Sequence, residues 1–517
     1  MNSEVNPWLV AVSVMLATFM VVLDSSVANV ALPHIAGSLA ASTDESTWVL
    51  TSYLVSNAII LPATGWLAAR FGRKRLLMVS IVTFTGASFL CGASVSMPML
   101  IVARVLQGIG GGGMQPIAQA VLLETFPVEK RGAAMAVYGM GVVVAPIIGP
   151  TLGGWITDSY SWSWIFYINL PVGMVALLMV NMFVSDPSYI RERRASRIDY
   201  PGFLAMAVWL GALQLVLDKG QEADWFGATW IAVTTAVSAV AMIVFIWREL
   251  AAKEPIVDLR VLKDRNFATG TFLTSAYGVV LYGITAMLPL FLQTLMNYPA
   301  LQSGLAVSPR GVGSLISMFV VGRLVGWIDS RLLLAVGFAT LALSGVMFSH
   351  INLEIAMSNV MAPSVINGFA SGFIFVPLTT MAMRTLKKTE MGNATGIYNL
   401  MRNIGGSFGI AMITTLLARG AQVHQTILAA HLSSGNPILQ HDLDLLRHSV
   451  TAGSGPVAST LQAWGLIYSQ LIRQATLLAY ADNFRLMAAL ALACVPLVLL
   501  FRRERPRFPE PDIRSRA

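Results

Sequence analysis

Asp24 and Arg104 are ionisable residues inside apolar stretches, the first of which runs from Trp8 to Ala31. A charge at membrane depth costs at least ~2.5 kcal/mol, so such residues usually face a partner, a cavity or a proton path. Counted at ~1.5 Å per residue from the predicted helix ends, the two lie at similar depth and can pair. A cation beside the carboxylate favours its ionised form and separation favours protonation. The pair is therefore either a static ion pair or a switch linked to protons or substrate.

Polar side chains accompany Arg104 along its predicted helix. Gln115 and Gln119 fall on nearly the same face as Arg104, and Gln107 lies to one side. A similar polar stripe occurs in the thirteenth predicted helix, and its members are Asn399, Arg402 and Asn403. Arg310 lies near the outer end of the tenth. Arg402 and, with less support, Arg310 are candidates for lining a central cavity.

Membrane-spanning helices must position these residues. The chain has 517 residues, 56% hydrophobic and 12% charged, whereas soluble domains carry about 25% charged residues. Apolar segments of about 20 residues, each enough to cross ~30 Å of hydrocarbon, recur along nearly the whole chain and predict about fourteen helices. They cover residues 8–31, 47–69, 76–95, 98–122, 132–157, 163–185, 200–217, 226–248, 266–291, 304–326, 332–349, 359–382, 392–418 and 481–501. The fold class is an all-α polytopic membrane protein.

The formal net charge of +8 comes from loops on one side of the membrane, so it does not indicate nucleic acid. The clusters are Arg70 to Arg75, Lys130 and Arg131, Arg191 to Arg197, Lys253 to Arg265, Arg384 to Lys388, and the tail Arg502 to Arg507. Lys and Arg concentrate in cytoplasmic loops, which predicts that both termini are cytoplasmic. The first helix is expected to be retained rather than cleaved. Cys91 and Cys494 fall within predicted spans, so neither a disulfide framework nor a metal cluster is expected.

The spacing of the predicted helices indicates two blocks of six with two helices between them. The expected regions are an N-terminal bundle over 1–185, linkers with the inserted pair over 186–265, and a C-terminal bundle over 266–517. A 6+2+6 arrangement is typical of parallel-repeat transporters. One outer loop, 419–480, is long enough to be functional.

Within that loop an amphipathic helix is predicted, because apolar residues recur at helical spacing. They are Leu461, Trp464, Tyr468, Leu471, Ala475 and Leu478. Two interpretations stay open for this helix. It lies on the membrane surface, or it docks a partner protein.

Two glycine-containing segments predict close helix packing. Gly108 to Gly113 matches G-x-G-x-x-G formally, but it lies inside an apolar helix without a preceding strand, so nucleotide binding is rejected. Small residues let membrane helices approach closely, and the glycine run allows bending. In Ala145 to Gly154, Pro146 and Pro150 each remove a backbone donor, which predicts a kinked and closely packed hinge.

Together these segments resemble the major facilitator superfamily over essentially the full chain, in particular its fourteen-helix drug:proton antiporters and the Emr-type (EmrB/QacA-like) efflux pumps. Leu23 to Pro33 is similar to the first-helix motif, and Arg104 with Gln107 and Gly108 to the fourth-helix motif. Signatures around the inserted pair are similar in 217–226 and 255–259. The cytoplasmic gate motif is represented by Gly65, Arg70, Gly72 and Arg73, and the antiporter hinge motif by Pro146, Gly149, Pro150, Gly153 and Gly154.

The resemblance implies roles for these residues. Asp24 and Arg104 would carry proton coupling, and the hinge motif would form the bend that blocks leak. Residues expected to line the substrate cavity are Asn29, Tyr53, Asn57, Gln107, Gln115, Gln119, Asn399, Arg402 and Asn403. Two positions depart from the family pattern. Ala69 replaces the usual acid of the gate motif, which puts its salt bridge in doubt, and Ala145 replaces a glycine.

The leading hypothesis is a proton-coupled multidrug efflux antiporter of the cell inner membrane, associated with antibiotic resistance. A proton from outside would neutralise an acid in the cavity, release a lipophilic substrate and let the bundles rock, with no cofactor. The resemblance also implies a periplasmic membrane-fusion adaptor and an outer-membrane channel as partners. The alternative on the same fold is an exporter or symporter of one metabolite or siderophore, and the antiporter motif argues against uptake. A membrane enzyme or sensor would need catalytic residues or a signalling domain, and neither pattern is found.

Overall fold

A computed structural model describes residues 6–186, 199–325, 327–432, 436–450 and 456–502. Apart from short 3₁₀ turns, regular structure in these ranges is helical, and Val325 and Ile328 form an isolated bridge. The basic clusters predicted at 191–197 and 503–507 lie outside the described residues.

The helices of the first half are α1 Pro7–Ser38, α2 Thr43–Phe71, α3 Arg73–Gly92, α4 Met97–Gly112, α5 Met114–Thr125, α6 Arg131–Ser159, α7 Trp164–Tyr167 and α8 Asn169–Phe183. Two helices follow, α9 Tyr200–Lys219 and α10 Thr229–Ala251. The remaining helices are α11 Arg265–Thr294, α12 Ala300–Val307, α13 Pro309–Leu324, α14 Ser330–Ser349, α15 Met357–Met383, α16 Met391–Ala429, α17 Pro437–Val450 and α18 Pro456–Leu497.

Thirteen stretches of the described residues are long and apolar enough to cross a membrane. The predicted crossing at 98–122 differs because it is divided at Gly113 into α4 and α5. The preceding glycines bring α4 against its neighbours: a Cβ at Gly108 would overlap Ser56, and one at Gly110 would overlap the backbone of Phe84. The close packing predicted for the glycine run is confirmed, and where bending was predicted the helix is interrupted at Gly113.

The two blocks of helices contact each other along α2 with α16 and along α6 with α13. The inserted pair, α9 and α10, packs through stacked Trp209 and Phe245 rings whose centroids are 5.3 Å apart. The inserted helices are also hydrogen-bonded to both blocks. Asp218 of α9 accepts a hydrogen bond from Thr51 of α2, and Gln214 of α9 accepts one from Ser407 of α16 at 2.9 Å.

The prediction of a loop over 419–480 was wrong. α16 continues to Ala429, α17 occupies part of the segment, and α18 starts at Pro456. The amphipathic segment is the first part of the same 42-residue helix that contains the last predicted crossing. Apolar residues recur at helical spacing through 461–478 because this part of α18 packs against the extended α16. Gln425 of α16 donates a hydrogen bond to the Tyr468 hydroxyl of α18 at 3.2 Å.

We call the side of the helical bundle on which α2 ends and α3 begins, at Gly72, the basic face. On the basic face the two blocks are in direct contact. A Cβ at Gly65 of α2 would lie 2.5 Å from the Asn393 Cα of α16. Gly396 of α16 similarly approaches the backbone of Leu61 and Pro62.

Candidate functional site

Asp24 lies inside the N-terminal block, on a face of α1 that packs against the other helices of that block. Its exposed fraction is 1%, and that of Arg104 is 0%. Arg104 Nη1 donates to Asp24 Oδ2 at 2.7 Å, while Gln107 Nε2 and Asn169 Nδ2 each donate to Oδ1 at 2.8 Å. One charged and two neutral donors therefore surround a single buried carboxylate.

The same network connects five helices. Arg104 Nε donates to the Val49 carbonyl of α2 at 3.0 Å, and its guanidinium lies 4.3 Å from the Tyr53 ring centroid. Asn169 of α8 also donates to Ser88 of α3 at 3.0 Å. A buried ion pair offsets its desolvation cost only when further hydrogen bonds support it. Asp24 has such bonds on both oxygens, whereas Arg104 is bonded through Nε and Nη1 and its buried Nη2 has no partner in the described part of the chain. A change in the charge of Asp24 would therefore disturb α1, α2, α3, α4 and α8 together.

Two members of this network were not among the predicted site residues. Asn169 and Ser88 lie on α8 and α3, and each is a polar residue in an apolar helix. An amide inside a predicted span was the signal that could have identified Asn169. Gln107, predicted as a cavity residue, bonds Asp24 and Arg104 instead, and Tyr53 likewise lies at this pair.

A second polar cluster joins the two blocks between α5 and α16. Asn399 Nδ2 donates to Gln119 Oε1 at 2.7 Å, and Arg402 Nη2 donates to Gln115 Oε1 at 2.8 Å. Gln119 and Asn399 are fully buried, and Arg402 is 4% exposed. Four predicted cavity residues thus meet across the contact between the blocks.

Of the other predicted cavity residues, Asn57 lies beside the Tyr53 hydroxyl, whereas Asn29 and Asn403 bond neither cluster in the described part of the chain. Asn29 is exposed on α1, and Asn57 and Asn403 are half-buried. Asn29 is five positions beyond Asp24 on α1, so it points away from the ion pair.

The predicted hinge segment lies in α6, which remains one helix through Pro146 and Pro150. Its glycines contact α1 immediately beyond Asp24. A Cβ at Gly149 would overlap the Ser26 side chain, and one at Gly153 would lie 3.0 Å from Val27 Cγ1. Gly154 has open space around it. The close packing of this motif is confirmed, whereas its action as a hinge stays a prediction.

The predicted gate residues lie where α2 turns into α3. Gly72 has a φ of +86°, a conformation that other residues rarely adopt, and it allows the turn. Arg73 forms a buried ion pair with Glu124 at the end of α5. Although Ala69 cannot supply an acid, an acid from α5 therefore holds the turn within the N-terminal block. Arg70 lies 5.8 Å from the Trp66 ring centroid.

Comparison with known proteins adds a family match. Residues 14–410 match the model described as Major Facilitator Superfamily. The multidrug export protein EmrB of Haemophilus influenzae is 39% identical over 465 residues, which cover 89% of this chain and 90% of the relative. EmrB of Escherichia coli K12 is 37% identical over 492 residues, covering 95% of this chain and 94% of the relative.

A solved structure shows a similar fold. The human organic anion transporter MFSD10 (TETRAN) matches with a TM-score of 0.61, covering 95% of this chain and 100% of that chain. The two sequences are 12% identical, so the likeness concerns the fold alone.

Proposed function

Because this chain belongs to the major facilitator superfamily and is a multidrug efflux transporter, we propose that it exports its substrates in exchange for protons. The predicted fold, an all-α multi-pass membrane protein of the major facilitator type, is confirmed. The family match indicates a transporter rather than an enzyme. In the proposal Asp24 carries the proton, and the proton gradient supplies the energy for transport without a cofactor.

The observation that carries this proposal is the buried pair of Asp24 and Arg104. Protonation of Asp24 removes the negative charge that Arg104 neutralises. Gln107 and Asn169 can still donate their hydrogen bonds to an oxygen of the protonated carboxyl group. An isolated guanidinium at membrane depth is costly, so the protonated state favours a rearrangement of Arg104. The two protonation states therefore differ in the arrangement of the helices that the network joins.

Contacts on α1 give this change a path to the other block. Ser26 and Val27 follow Asp24 within one helical turn, and they contact Gly149 and Gly153 of α6. The same α6 packs against α13, where a Cβ at Gly139 would lie 2.9 Å from the Met318 sulfur. Displacement of α1 on protonation would thus move α6 directly and shift the interface between the blocks.

The cluster on α5 and α16 is suited to a gate that alternates with this change. Its two hydrogen bonds, Gln119 with Asn399 and Gln115 with Arg402, join the blocks toward the basic face. In the proposed cycle these bonds break when the transporter opens to the cytoplasm, and they re-form when it releases substrate outside. The basic face is then the cytoplasmic side, in line with the distribution of Lys and Arg.

Substrate binding to the purified transporter is expected to release about one proton, because binding and protonation stabilise different charge states of Asp24. A pH-indicator dye in weakly buffered detergent solution measures this release for a panel of lipophilic drugs. The Asp24→Asn variant should bind drug without proton release. Equal release by that variant would contradict the assignment of Asp24.

The extensions of α16 and α18 support a partner outside the membrane. α16 has 39 residues and α18 has 42, so at ~1.5 Å per residue each is far longer than ~30 Å of hydrocarbon. The projecting parts, together with α17 between them, expose apolar side chains, namely Val423, Ile427, Leu445, Leu461 and Leu466. An exposed apolar patch beyond the membrane marks a protein interaction site. We propose that a periplasmic membrane-fusion adaptor binds there and connects the transporter to an outer-membrane channel.

Acidic substitutions on this surface should weaken adaptor binding. Replacing Leu461 and Leu466 together by Glu places two charges at exposed apolar positions of α18 and should abolish co-purification of a co-expressed adaptor. Gln470→Glu, which adds a charge at an exposed polar position of the same helix, is the matched control. The bundle should stay folded in both variants by size-exclusion chromatography. If the adaptor co-purifies equally with both, this surface is not its docking site.

A further inference from the structure

Two acidic side chains lie close together at the basic face, where the inserted pair of helices begins and ends. Asp199 immediately precedes α9, and Glu249 lies in the last turn of α10. Glu249 is 1% exposed and Asp199 is 8% exposed. A Cβ at Gly202 would lie 2.9 Å from both Asp199 Oδ2 and Glu249 Oε1. The two carboxyl groups therefore face each other across this glycine.

The two carboxyl groups differ in their partners. Arg248 Nε donates to both oxygens of Asp199, at 3.2 and 3.1 Å, and Gly202 N donates to Oδ1 at 3.2 Å. Glu249 Oε2 accepts a hydrogen bond from the Val257 backbone at 3.2 Å, whereas Glu249 Oε1 has no partner in the described part of the chain. Asp199 thus has the contacts of an ionised carboxylate, and Glu249 is buried with one oxygen unbonded.

The charges around Glu249 do not compensate a second negative charge. Asp199 and Arg248 both interact electrostatically with Glu249, and Arg248 already forms an ion pair with Asp199. On the connection that follows α10, the Arg260 side chain donates to backbone carbonyls at the end of that helix, and the Asp258 carboxylate accepts from the Arg260 backbone. Burial of an ionised group is costly unless it is paired and hydrogen-bonded. A neutral Glu249 is therefore favoured at this position.

One proton satisfies the unbonded oxygen. Two carboxylates that share a site do not both ionise at low cost, so one of them holds its proton more firmly. A protonated carboxyl group has one O–H donor. Oε1 of Glu249 is the oxygen that faces Asp199, so a proton there can be donated to Asp199 Oδ2. Glu249 Oε2 then keeps its bond from Val257.

Glu249 also fixes the connection between α10 and α11, residues 252–264. Ile256 and Val257 of this connection are buried. At the next residue, Asp258 N donates to Asn393 Oδ1 of α16 at 3.1 Å, and Asn393 Nδ2 donates to the Asp258 carbonyl at 2.8 Å. The connection is therefore bonded to α10 at one residue and to the C-terminal block at the next.

Asn393 lies at the contact that closes the basic face. It is the third residue of α16, and a Cβ at Gly65 of α2 would lie 2.5 Å from its Cα. In the proposed transport cycle, opening to the cytoplasm separates α2 from α16 at this point. A continuous series of contacts thus runs from Glu249, through Val257 and Asp258, to the contact between the two blocks.

We propose that Glu249 binds one proton from the cytoplasm, shared with Asp199, and that this proton holds the connection in place on the closed basic face. Loss of the proton leaves a charged carboxylate that is more stable in water, so Glu249 leaves its buried position and releases Val257. The stabilisation is complete at low cytoplasmic pH and is lost as the pH rises, because the closed state binds the extra proton.

This site differs from Asp24 in its role. It lies at one face only, so its proton enters and leaves on the same side and is not transported. An alkaline cytoplasm would release the connection and allow the basic face to open to substrate. The regulatory role rests on the proposed efflux function, in which the basic face opens and closes, whereas the proton site itself does not depend on it.

Hydrogen–deuterium exchange of the backbone amides in 252–264 tests the site in the full-length protein in detergent. After correction for the intrinsic pH dependence of exchange, protection in the native protein should fall at least about 10-fold between about pH 6 and about pH 8, because released amides lose their hydrogen bonds. Glu249→Gln should stay protected throughout, since its amide accepts from Val257 and donates to Asp199 without titrating. Glu129→Gln, which neutralises an exposed acid of the basic face, is the control and should respond like the native protein.

A second variant keeps the test decisive if Glu249→Gln does not fold. Asp199→Asn retains a residue that caps α9 well and removes the facing carboxylate, so it should also abolish the pH response. Protection that is independent of pH in the native protein, or a native response in Glu249→Gln or Asp199→Asn, would overturn the proposal. Asp24→Asn should keep the pH response of the connection while it loses proton release on drug binding, so failure of this site and failure of the proposed function are distinguishable.

Discussion

Replacing Asp24 by Asn is expected to abolish proton-driven efflux while the protein remains in the membrane. Asn has the shape of Asp and can still accept the bonds from Gln107 and Asn169, but it cannot carry a proton. Drug uptake driven by a proton gradient into everted membrane vesicles measures the effect. Asp158→Asn, which neutralises an exposed acid of the same block, is the matched control and should transport normally.

Stability must be separated from coupling in this experiment. Removing one member of a buried ion pair costs about 3–5 kcal/mol, since Arg104 is left without its counter-charge. The double variant Asp24→Asn, Arg104→Gln removes both charges and should restore the stability that the single variant loses. It should still fail to use the proton gradient. Gradient-driven transport by either variant would show that another group carries the proton.

The pairing of Asp24 with Arg104 was predictable from the sequence because both are ionisable residues in apolar helices at similar depth. Their additional partners were not. Gln107 was assigned to the cavity because helical spacing gives the direction of a side chain relative to its own helix, but not the identity of the neighbouring helix. Asn169 was overlooked, although an amide inside an apolar helix is itself a sign of a buried polar contact.

The approximate positions of thirteen of the fourteen predicted crossings followed from apolar length, but helix continuity did not. The pattern in 461–478 correctly indicated a helix, and it contained no signal that this helix joins the crossing that follows. The hydropathy of the sequence changes where α18 passes from its amphipathic part to the predicted crossing, but the backbone hydrogen bonds of the helix continue through that point. The division of α4 from α5 at Gly113 is the reverse case, because hydropathy is continuous there and the helix is not.

The partners of charged residues on distant helices likewise could not be predicted from the sequence. The departure at Ala69 suggested a missing salt bridge, yet Glu124 of α5 pairs with Arg73 at the same turn. Arg310 was a weak cavity candidate in the sequence. In the structure its guanidinium donates to the Thr285 hydroxyl of α11, a contact between helices that their separate patterns do not indicate.

Gly149→Val is expected to destroy transport, whereas Gly154→Val, in the same motif of the same helix, should be tolerated. A side chain at Gly149 would overlap Ser26 of α1, two residues from Asp24, while Gly154 faces open space. Forcing extra atoms into a packed contact typically costs about 1–3 kcal/mol, and here it separates α1 from α6. We expect at least about a 10-fold loss of efflux for Gly149→Val, since a cost of ~1.4 kcal/mol corresponds to a factor of ten.

Efflux of a fluorescent substrate from intact cells, normalised to the amount of folded protein, measures both valine variants. Size-exclusion chromatography in detergent separates a folding defect from a transport defect, and Gly149→Ala gives an intermediate overlap for the case in which Val prevents folding. Because Ser26 lies so close to Asp24, the Gly149 variants should also alter proton release on drug binding, whereas Gly154→Val should not. Equal transport by the two valine variants would contradict the α1 to α6 contact as the route from the proton site to the interface between the blocks.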